Sequence, residues 1–332
     1  MKGNRKWDIS KICVQNIRGG AGALIPVIDE KVELRLELSN ICNEACLFCP
    51  NRKIHRKRME MSEELVERLL KEASLLGVNK VGLFMNGEPF ITKKLAYYIE
   101  LAKKLGYSYI YLTTNGALAT EEKLKECLNA GLDSIKFSIN AGSRESYKVV
   151  HGHDDYDKVM EHLKFAFLYR KESGLDYKIL SSFVVTRYTV DEIEKHYENI
   201  KPFVDELVFF NVESFAGQMI NEIDDLRATI DSDRVLQYKI QNKAPCNKLW
   251  TALNVTCEGY LTLCCSEAFN YLVIEDLNEM GLEEAWYGER MNAMRKRHLE
   301  GKLTGTQCAV CLGEQCDTVK PLNEKLFYSS LK

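Results

Sequence analysis

From residue 32 to about 212 the chain alternates strand-like runs with amphipathic helical runs, six times over, and no other feature narrows the fold as much. Val32 to Leu38 alternates apolar and polar residues with period two, as a half-buried strand does. Ser62 is placed to cap a helix whose first turn carries Glu63 and Glu64 and whose face gathers Leu65, Val66, Leu69, Leu70, Ala73 and Leu76. The next strand reads from Lys80 to Met85, and Thr92 is expected to cap a helix that stops at Gly106. Further strands follow at Ser108–Thr113, Asp133–Ile139, Tyr177–Val185 and Glu206–Val212. Helices are expected over Thr120–Ala130, Tyr156–Lys171 and Asp191–Ile200. Six strand–helix units in parallel order imply an α/β barrel or an open wound sheet. In both, ligands gather at the C-terminal ends of the strands.

The rhythm stops after Glu213. Residues 217 to 244 read as a polar bridge. Beyond Cys246 come a short β-rich piece turning at Glu258–Gly259, a helix near Leu282 to Glu300, and several cysteines. That last piece is too small for a conventional core, and a metal would explain how it holds together. The 332 residues carry a net charge of -3, which removes a general electrostatic case for nucleic acid. The basic N-terminus has no apolar run behind it, and Ala21 to Ile28 is too short to cross a bilayer, so the expectation is a soluble, cytoplasmic protein. Twelve cysteines in such a chain, mostly in two tight groups, fit metal or redox chemistry better than a disulfide framework.

The first group follows the first strand directly, in SNICNEACLFCPN. Cys42, Cys46 and Cys49 form a C-x3-C-x2-C pattern at the ligand end of that strand, able to wrap one soft metal centre. A zinc knot with His55 or a distant fourth ligand is the competing reading, but structural zinc usually closes four ligands and this spacing supplies three. Three suit a four-iron cluster with one iron left open. The segment, with Phe48 before its last cysteine, resembles the signature of the radical S-adenosylmethionine (SAM) enzymes. The resemblance implies a partial (β/α)6 TIM-like barrel, a [4Fe-4S] cluster on the three cysteines, and SAM chelated to the open iron. Reductive cleavage of SAM then gives a 5′-deoxyadenosyl radical that abstracts hydrogen from the substrate. It also implies that Gly87 and Glu88, in MNGEP, receive the SAM ammonium, with Asn86 where the family has glycine. Thr114 and Asn115, in TNG, and Ser138, at the end of the fourth strand, resemble further positions around the ligand.

In the second group, twelve residues separate Cys246 from Gly259, four more precede Cys264, and Cys308 and Cys311 form a C-x2-C. This is similar to the SPASM auxiliary-cluster domain or its shortened twitch form. The resemblance implies one auxiliary [4Fe-4S] cluster on Cys246, Cys264, Cys308 and Cys311, or two if Cys316 joins with Cys257 or Cys265. A zinc ribbon is the competing reading. The expected organisation is an extension over 1–31, the barrel over 32–215, a bridge over 216–245 and the auxiliary-cluster domain over 246–332.

Other positions are less informative. Arg52 to Arg58 places six basic residues in seven positions, either a solvated surface or a docking patch for an acidic electron donor such as flavodoxin or ferredoxin. His151 and His153 could ligate or shuttle protons as a pair, but read first as surface-loop residues. Arg187 and Glu213, near the ends of the fifth and sixth strands, are candidates for substrate contact or a general base. Cys127 reads as core, and Cys13 carries no signal. The expected activity is oxidation of a small polar substrate, a carbinol to a carbonyl, with the auxiliary cluster accepting an electron, as the twitch-containing aminoglycoside-pathway dehydrogenases do. Peptide maturation by cross-linking, thioether formation or epimerisation is the second reading. It is weakened by the roughly thirty residues before the first strand, few for a leader-binding domain. A non-catalytic iron–sulfur or zinc protein is the reading from another class.

Overall fold

Six parallel strands lie side by side in chain order: β1 (Glu33–Leu36), β2 (Lys80–Gly82), β3 (Tyr109–Thr114), β4 (Ser134–Ser138), β5 (Lys178–Val185) and β6 (Glu206–Asn211). The computed structural model describes residues 26–332 apart from 228, 231–233, 236–244, 315 and 317, with backbone alone at 229, 230, 234 and 235. Cys13 and most of the expected N-terminal extension lie outside the described residues. Helices α1 (Glu63–Leu75), α2 (Leu95–Lys104), α3 (Glu121–Asn129), α4 (Arg144–His151), α5 (Tyr156–Ser173) and α6 (Ile193–Ile200) return the chain between strands. Period-two alternation divides each strand. Leu34, Leu36, Ile110, Leu112, Ile135 and Phe137 are buried in one continuous apolar core with Leu65, Val66, Leu69, Leu70 and Ile99 of the helices. The opposite face carries Glu33, Arg35, Tyr111, Lys136 and Ser138, so the inner side of the sheet is polar.

Two of the three expected caps form. Ser62 and Thr120 accept from Leu65 N and Lys123 N, each satisfying one orphan donor of its helix. Thr92 does not cap α2. A 3-10 turn over Pro89–Ile91 intervenes, and Lys94 precedes the helix without a side-chain cap.

The cysteine-rich end departs from expectation. It adds strands to the same sheet instead of forming a separate piece without a core. After α7 (Ile220–Leu226), an antiparallel pair β7 (Thr229–Ile230) and β8 (Arg234–Val235), and α8 (Lys248–Thr251), strand β9 (Ala252–Val255) pairs in parallel with β1. β10 (Tyr260–Thr262) and β11 (Val273–Asp276) continue antiparallel, giving the order β11-β10-β9-β1-β2-β3-β4-β5-β6. All four residues of β9 are buried, and Leu253, Val255, Leu261 and Trp286 belong to the core that holds Leu34 and Leu36. Apolar burial therefore contributes to holding this segment in place. The sheet is open: among the described residues β6 and β11 are its unpaired edges. The helix expected near Leu282 to Glu300 is broken at Gly288 into α9 (Leu282–Tyr287) and α10 (Glu289–Glu300). α11 (Gln307–Cys311) and α12 (Glu324–Ser329) complete the chain. No described helix is long and apolar enough to cross a membrane.

Candidate active site

Three loops meet where β1, β2 and β3 end. Glu88 is buried there and accepts from Thr114 Oγ1 at 2.6 Å, Asn115 N at 2.9 Å and Phe90 N at 3.1 Å. Burial pushes its carboxyl up to about 7, while the hydrogen bonds from Thr114, Asn115 and Phe90 oppose the shift. Glu88 N donates to Ile41 O at 2.9 Å, so the Gly-Glu-Pro turn is tied to the loop after β1. A Cβ at Gly87 would sit 2.0 Å from Ser39 O, a backbone atom that cannot step aside. Asn115 Nδ2 donates to Asn43 Oδ1 at 2.9 Å and lies 3.7 Å from Cys42 Sγ. The residues expected from the Gly-Glu-Pro and Thr-Asn-Gly motifs thus form one network with the first cysteine loop.

Asn86 has its own task in place of glycine. Its Nδ2 donates to Glu37 Oε1 at 3.0 Å and to Glu267 O at 3.1 Å, joining the end of β2 to β1 and to the C-terminal segment.

Cys42, Cys46 and Cys49 are neighbours without a disulfide. Burial, first of all, pushes the Cys42 thiol up to about 12 and raises Cys46 and Cys49, and Cys42 and Cys46 feel the other thiols as like charges. Such a set stays protonated until a cationic centre draws the thiolates together, so the residues fit a metal cluster. Among the described residues neither cysteine group has three sulfurs all within 4.8 Å of one another. A tetrahedral zinc site with 2.3 Å bonds would need about 3.8 Å. A cluster of several irons spaces its thiolates more widely.

His151 corrects the sequence reading. It is the last residue of α4 and fully buried, not a surface-loop residue, and only His153 is exposed. Its ring stacks on Tyr147 at 3.9 Å, and its Nε2 lies 2.9 Å from Ile139 O. Its Nδ1 is 3.5 Å from Cys46 Sγ. Burial lowers it to about 4, so the ring is neutral. Phe48 meets the His151 ring edge-on at 6.3 Å. The missed signal is amphipathic spacing, with Tyr147, Val150 and His151 on one face of a helix only eight residues long.

The second cysteine group is brought together by three short elements. Cys246 precedes α8, Cys264 follows β10, and Cys308 and Cys311 lie on α11, whose Thr306 cap accepts from Ala309 N. Burial raises the Cys308 thiol, and the charges of Cys311 and Cys246 add to it; Cys264 is within the field of Cys311. Cys265 turns towards the inner face of the sheet. Arg35 Nη1 donates to its Sγ at 2.7 Å and Lys248 Nζ at 3.3 Å. A hydrogen bond from Cys264, with the charges of Lys248 and Arg35, holds the Cys265 thiol well below its usual range against the effect of burial. Tyr111 reaches the same place: its hydroxyl donates to Glu33 Oε2 at 2.9 Å and accepts from Arg35 Nε at 3.1 Å. Gly82 makes room, since a Cβ there would be 2.8 Å from Tyr111 Cζ.

Cys257 is elsewhere, which argues against its recruitment to a second auxiliary cluster. It lies with Glu37 and Glu258, where Arg56 already supplies the positive charge through both carboxylates. Cys316 is half-buried against the core, and Cys127 is buried as expected. The basic run is not one patch. Arg56 is buried, Arg58 donates to Asn40 O at 2.6 Å and Asn51 Oδ1 at 2.9 Å, and Lys53 pairs with Glu222. Arg52, His55, Lys57 and Arg58 are exposed, the first three with fewer ties. Arg187 is exposed and donates to Tyr188 Oη at 2.7 Å, with no described bond to either cysteine group. Glu213, exposed after β6, lies within the field of Lys136 and Lys248. Ser138 Oγ is 3.2 Å from Ser182 Oγ on the inner face.

Comparison with known proteins agrees with this geometry. Residues 36–200 match the family model of the radical SAM superfamily, and residues 246–316 match SPASM, an iron–sulfur cluster-binding domain. A probable GTP 3′,8-cyclase of Saccharolobus islandicus is 35% identical over 166 residues, 50% of this chain and 52% of that protein. One from Methanothermobacter marburgensis is 32% identical over 145 residues, 44% and 46% of the two chains. The chain thus spans about half the length of these curated relatives. Among solved structures, BtrN in complex with AdoMet and 2-DOIA superposes with a TM-score of 0.55 at 16% identity, over 90% of this chain and 97% of BtrN. Streptococcus suis SuiB bound to the precursor peptide SuiA gives 0.61 at 16% identity, over 82% and 67%. These structures share the fold. Two cysteine groups on one open α/β sheet, each within its matching family segment, place the chain in the radical SAM superfamily with a C-terminal SPASM iron–sulfur domain.

Proposed function

We propose that the protein oxidises a small polar substrate, converting a carbinol to a carbonyl. The substrate loses a hydrogen atom first, then one electron and one proton. In this reading Cys42, Cys46 and Cys49 hold the SAM-binding cluster, and Cys246, Cys264, Cys308 and Cys311 hold one auxiliary cluster. When bound, SAM with its [4Fe-4S] cluster supplies a 5′-deoxyadenosyl radical, and the auxiliary cluster supplies a one-electron acceptor. The carrying observation is that both cysteine groups open onto one polar face along a single strand. Asn115, just beyond β3, approaches Cys42, while Tyr111 on β3 bonds the arginine that holds Cys265, the chain neighbour of the assigned ligand Cys264. Four residues of strand separate them, about 13 Å.

The chain's own residues orient the substrate and cofactor. Gly87 lets the turn close on Ser39, and Glu88 receives the SAM ammonium. Phe48, Thr114, Asn115 and Ser138 line the ligand. Glu213, facing Lys136 and Lys248, is a better candidate to take the substrate proton than Arg187. The division into barrel, bridge and auxiliary domain near 215 and 245 belongs to the same proposal. So does a cytoplasmic setting with a flavodoxin- or ferredoxin-type donor approaching Arg52 and Lys57.

A second reading, cyclisation of a nucleotide without net oxidation, is favoured by the 35% identity to the probable GTP 3′,8-cyclase over half the chain. The two separate in one anaerobic experiment on the reconstituted, reduced enzyme with SAM. Carbinols deuterated at the carbinol carbon should pass deuterium into 5′-deoxyadenosine, with one carbonyl formed per SAM. Transfer from labelled GTP and from no carbinol would overturn the oxidation.

Glu88 gives the cofactor site a pH dependence. Its carboxyl is neutral below about 7 and ionised above, and only the ionised form pairs with an ammonium. SAM affinity should therefore rise with pH, about tenfold between pH 6 and pH 8. Calorimetry should show Glu88→Gln binding weakly with no slope, and a flat wild-type profile would exclude Glu88 as the ammonium's partner.

A further inference from the structure

A cation withdrawn from water calls for an acceptor. Among the described residues, every lysine and arginine that is not exposed reaches an oxygen or sulfur acceptor, with one exception. That exception is Lys136 on β4. It is half-buried on the inner face of the sheet, and among the described residues it makes no hydrogen bond and no ion pair. What it does meet is the ring of Phe210 on β6, with Nζ 5.3 Å from the centroid.

The Lys136 side chain is aimed at the ligand end of the sheet. In the strand register Lys136 is level with Leu180 and Glu206, yet its ammonium lies over Phe210, four residues farther along β6. Between these levels runs the row of Ser138, Ser182 and Val208, where the two serine hydroxyls are 3.2 Å apart. Lys136 and Ser138 share one face of β4, as period two requires. Burial, and then the like charge of Arg35, lower the proton affinity of Lys136; the charges of Glu213, Glu206 and Cys265 oppose this without cancelling it. Both carboxylates are exposed, so water screens them. The neighbouring cations are already engaged. Arg35 pairs with Glu33 and bonds Tyr111 and Cys265, and Lys248 bonds Cys265 and Ser266. Lys136 is therefore the inner-face cation with capacity left for a ligand.

We infer that Lys136 anchors an oxyanion carried by the substrate, a phosphate ester or a carboxylate, beside the Ser138–Ser182 pair. An ammonium is a point charge that serves either anion. The inference rests on the proposed carbinol oxidation and narrows its small polar substrate to an anionic one. The anchor is separate from the place of the SAM ammonium, because the Gly-Glu-Pro and Thr-Asn-Gly turns follow β2 and β3, whereas Lys136 reaches from β4 towards β6.

The test is calorimetry on the reconstituted, unreduced full-length holoenzyme with SAM bound, titrated with three carbinols of one backbone: glycerol 3-phosphate, glycerate and glycerol. Without reductant no radical forms, so binding is read apart from turnover. Wild type should bind at least one of the two anions about tenfold or more tightly than glycerol, and the tighter one identifies the oxyanion. Lys136→Met should lose that preference. Lys136→Arg, which keeps the charge, should retain about threefold or more of it, a rescue that a proton-accepting lysine would not show. SAM affinity should be the same in all three proteins. A wild type without the preference, or a Lys136→Met protein that keeps it, overturns the inference. A fall in SAM affinity with the preference intact would assign Lys136 to the cofactor and overturn it as well. Should Lys136→Met fail to load iron, Lys136→Gln, which keeps a polar end on β4, is read in the same way. A preference that depends on Lys136, with no carbonyl formed after reduction, would leave the anchor standing and remove the oxidation alone.

Discussion

Replacing Cys42, Cys46 and Cys49 together with alanine should halve the iron of the reconstituted protein, from about eight to about four per chain, and abolish 5′-deoxyadenosine formation. The loss should be complete, because the three thiols are the whole protein ligand set of that cluster in the proposed assignment. The remaining iron should survive, since the C-terminal group is assembled by α8, the turn after β10, and α11, all of which keep their own cysteines in this variant. Iron counting with Mössbauer spectroscopy checks both halves. About four irons falling to none, with zinc in the C-terminal segment, would make that segment structural and turn the chemistry away from oxidation. A fall to none without zinc would mean that the two centres assemble cooperatively.

The parts of this site that were legible in the sequence are those written in local patterns. Period-two strands and Ser62 and Thr120 caps follow from residues within a few positions of one another, and the structure has the six strands in the expected order. Glu88, Thr114 and Asn115 could be placed because each stands at a strand end. Parallel strands bring such ends together whatever the helices between them are made of. What escaped depends on partners far along the chain. Arg56 sits in a basic run that looks solvated, yet its carboxylate partners Glu37 and Glu258 are 19 and 202 residues away. The pairing of β9 with β1 and the contact of Arg35 with Cys265 are equally non-local. His151 escaped because its helix is short and follows a glycine-containing loop. Lys248 escaped because a lysine beside a cysteine has no sequence mark of burial.

Arg56→Met should be strongly destabilising. The Arg56 side chain is fully buried. Its Nη2 donates to both oxygens of Glu37, at 3.0 and 2.9 Å, and its Nη1 to Glu258 Oε2 at 2.7 Å. Glu37 also accepts from Asn86 Nδ2 and from Cys257 N, both at 3.0 Å, so the end of β1, the SAM-motif turn and the β9–β10 turn meet at this one guanidinium. Without it two carboxylates stay buried with no cation, a situation that costs about 3–5 kcal/mol. At about 2–4 °C per kcal/mol that is a fall of roughly 6–20 °C in the melting midpoint of the anaerobic holoenzyme. Leaving out the charges altogether should hurt less: Arg56→Met with Glu37→Leu and Glu258→Leu should recover part of the loss, because desolvation offsets much of what the ion pairs contribute. SAM affinity provides an independent readout. Asn86 is adjacent to Gly87 and anchored on Glu37, so releasing Glu37 should loosen the turn that presents Glu88. A midpoint within about 2 °C of wild type, with SAM affinity unchanged, would show that water or another cation reaches the Glu37–Glu258 pair once Arg56 is gone.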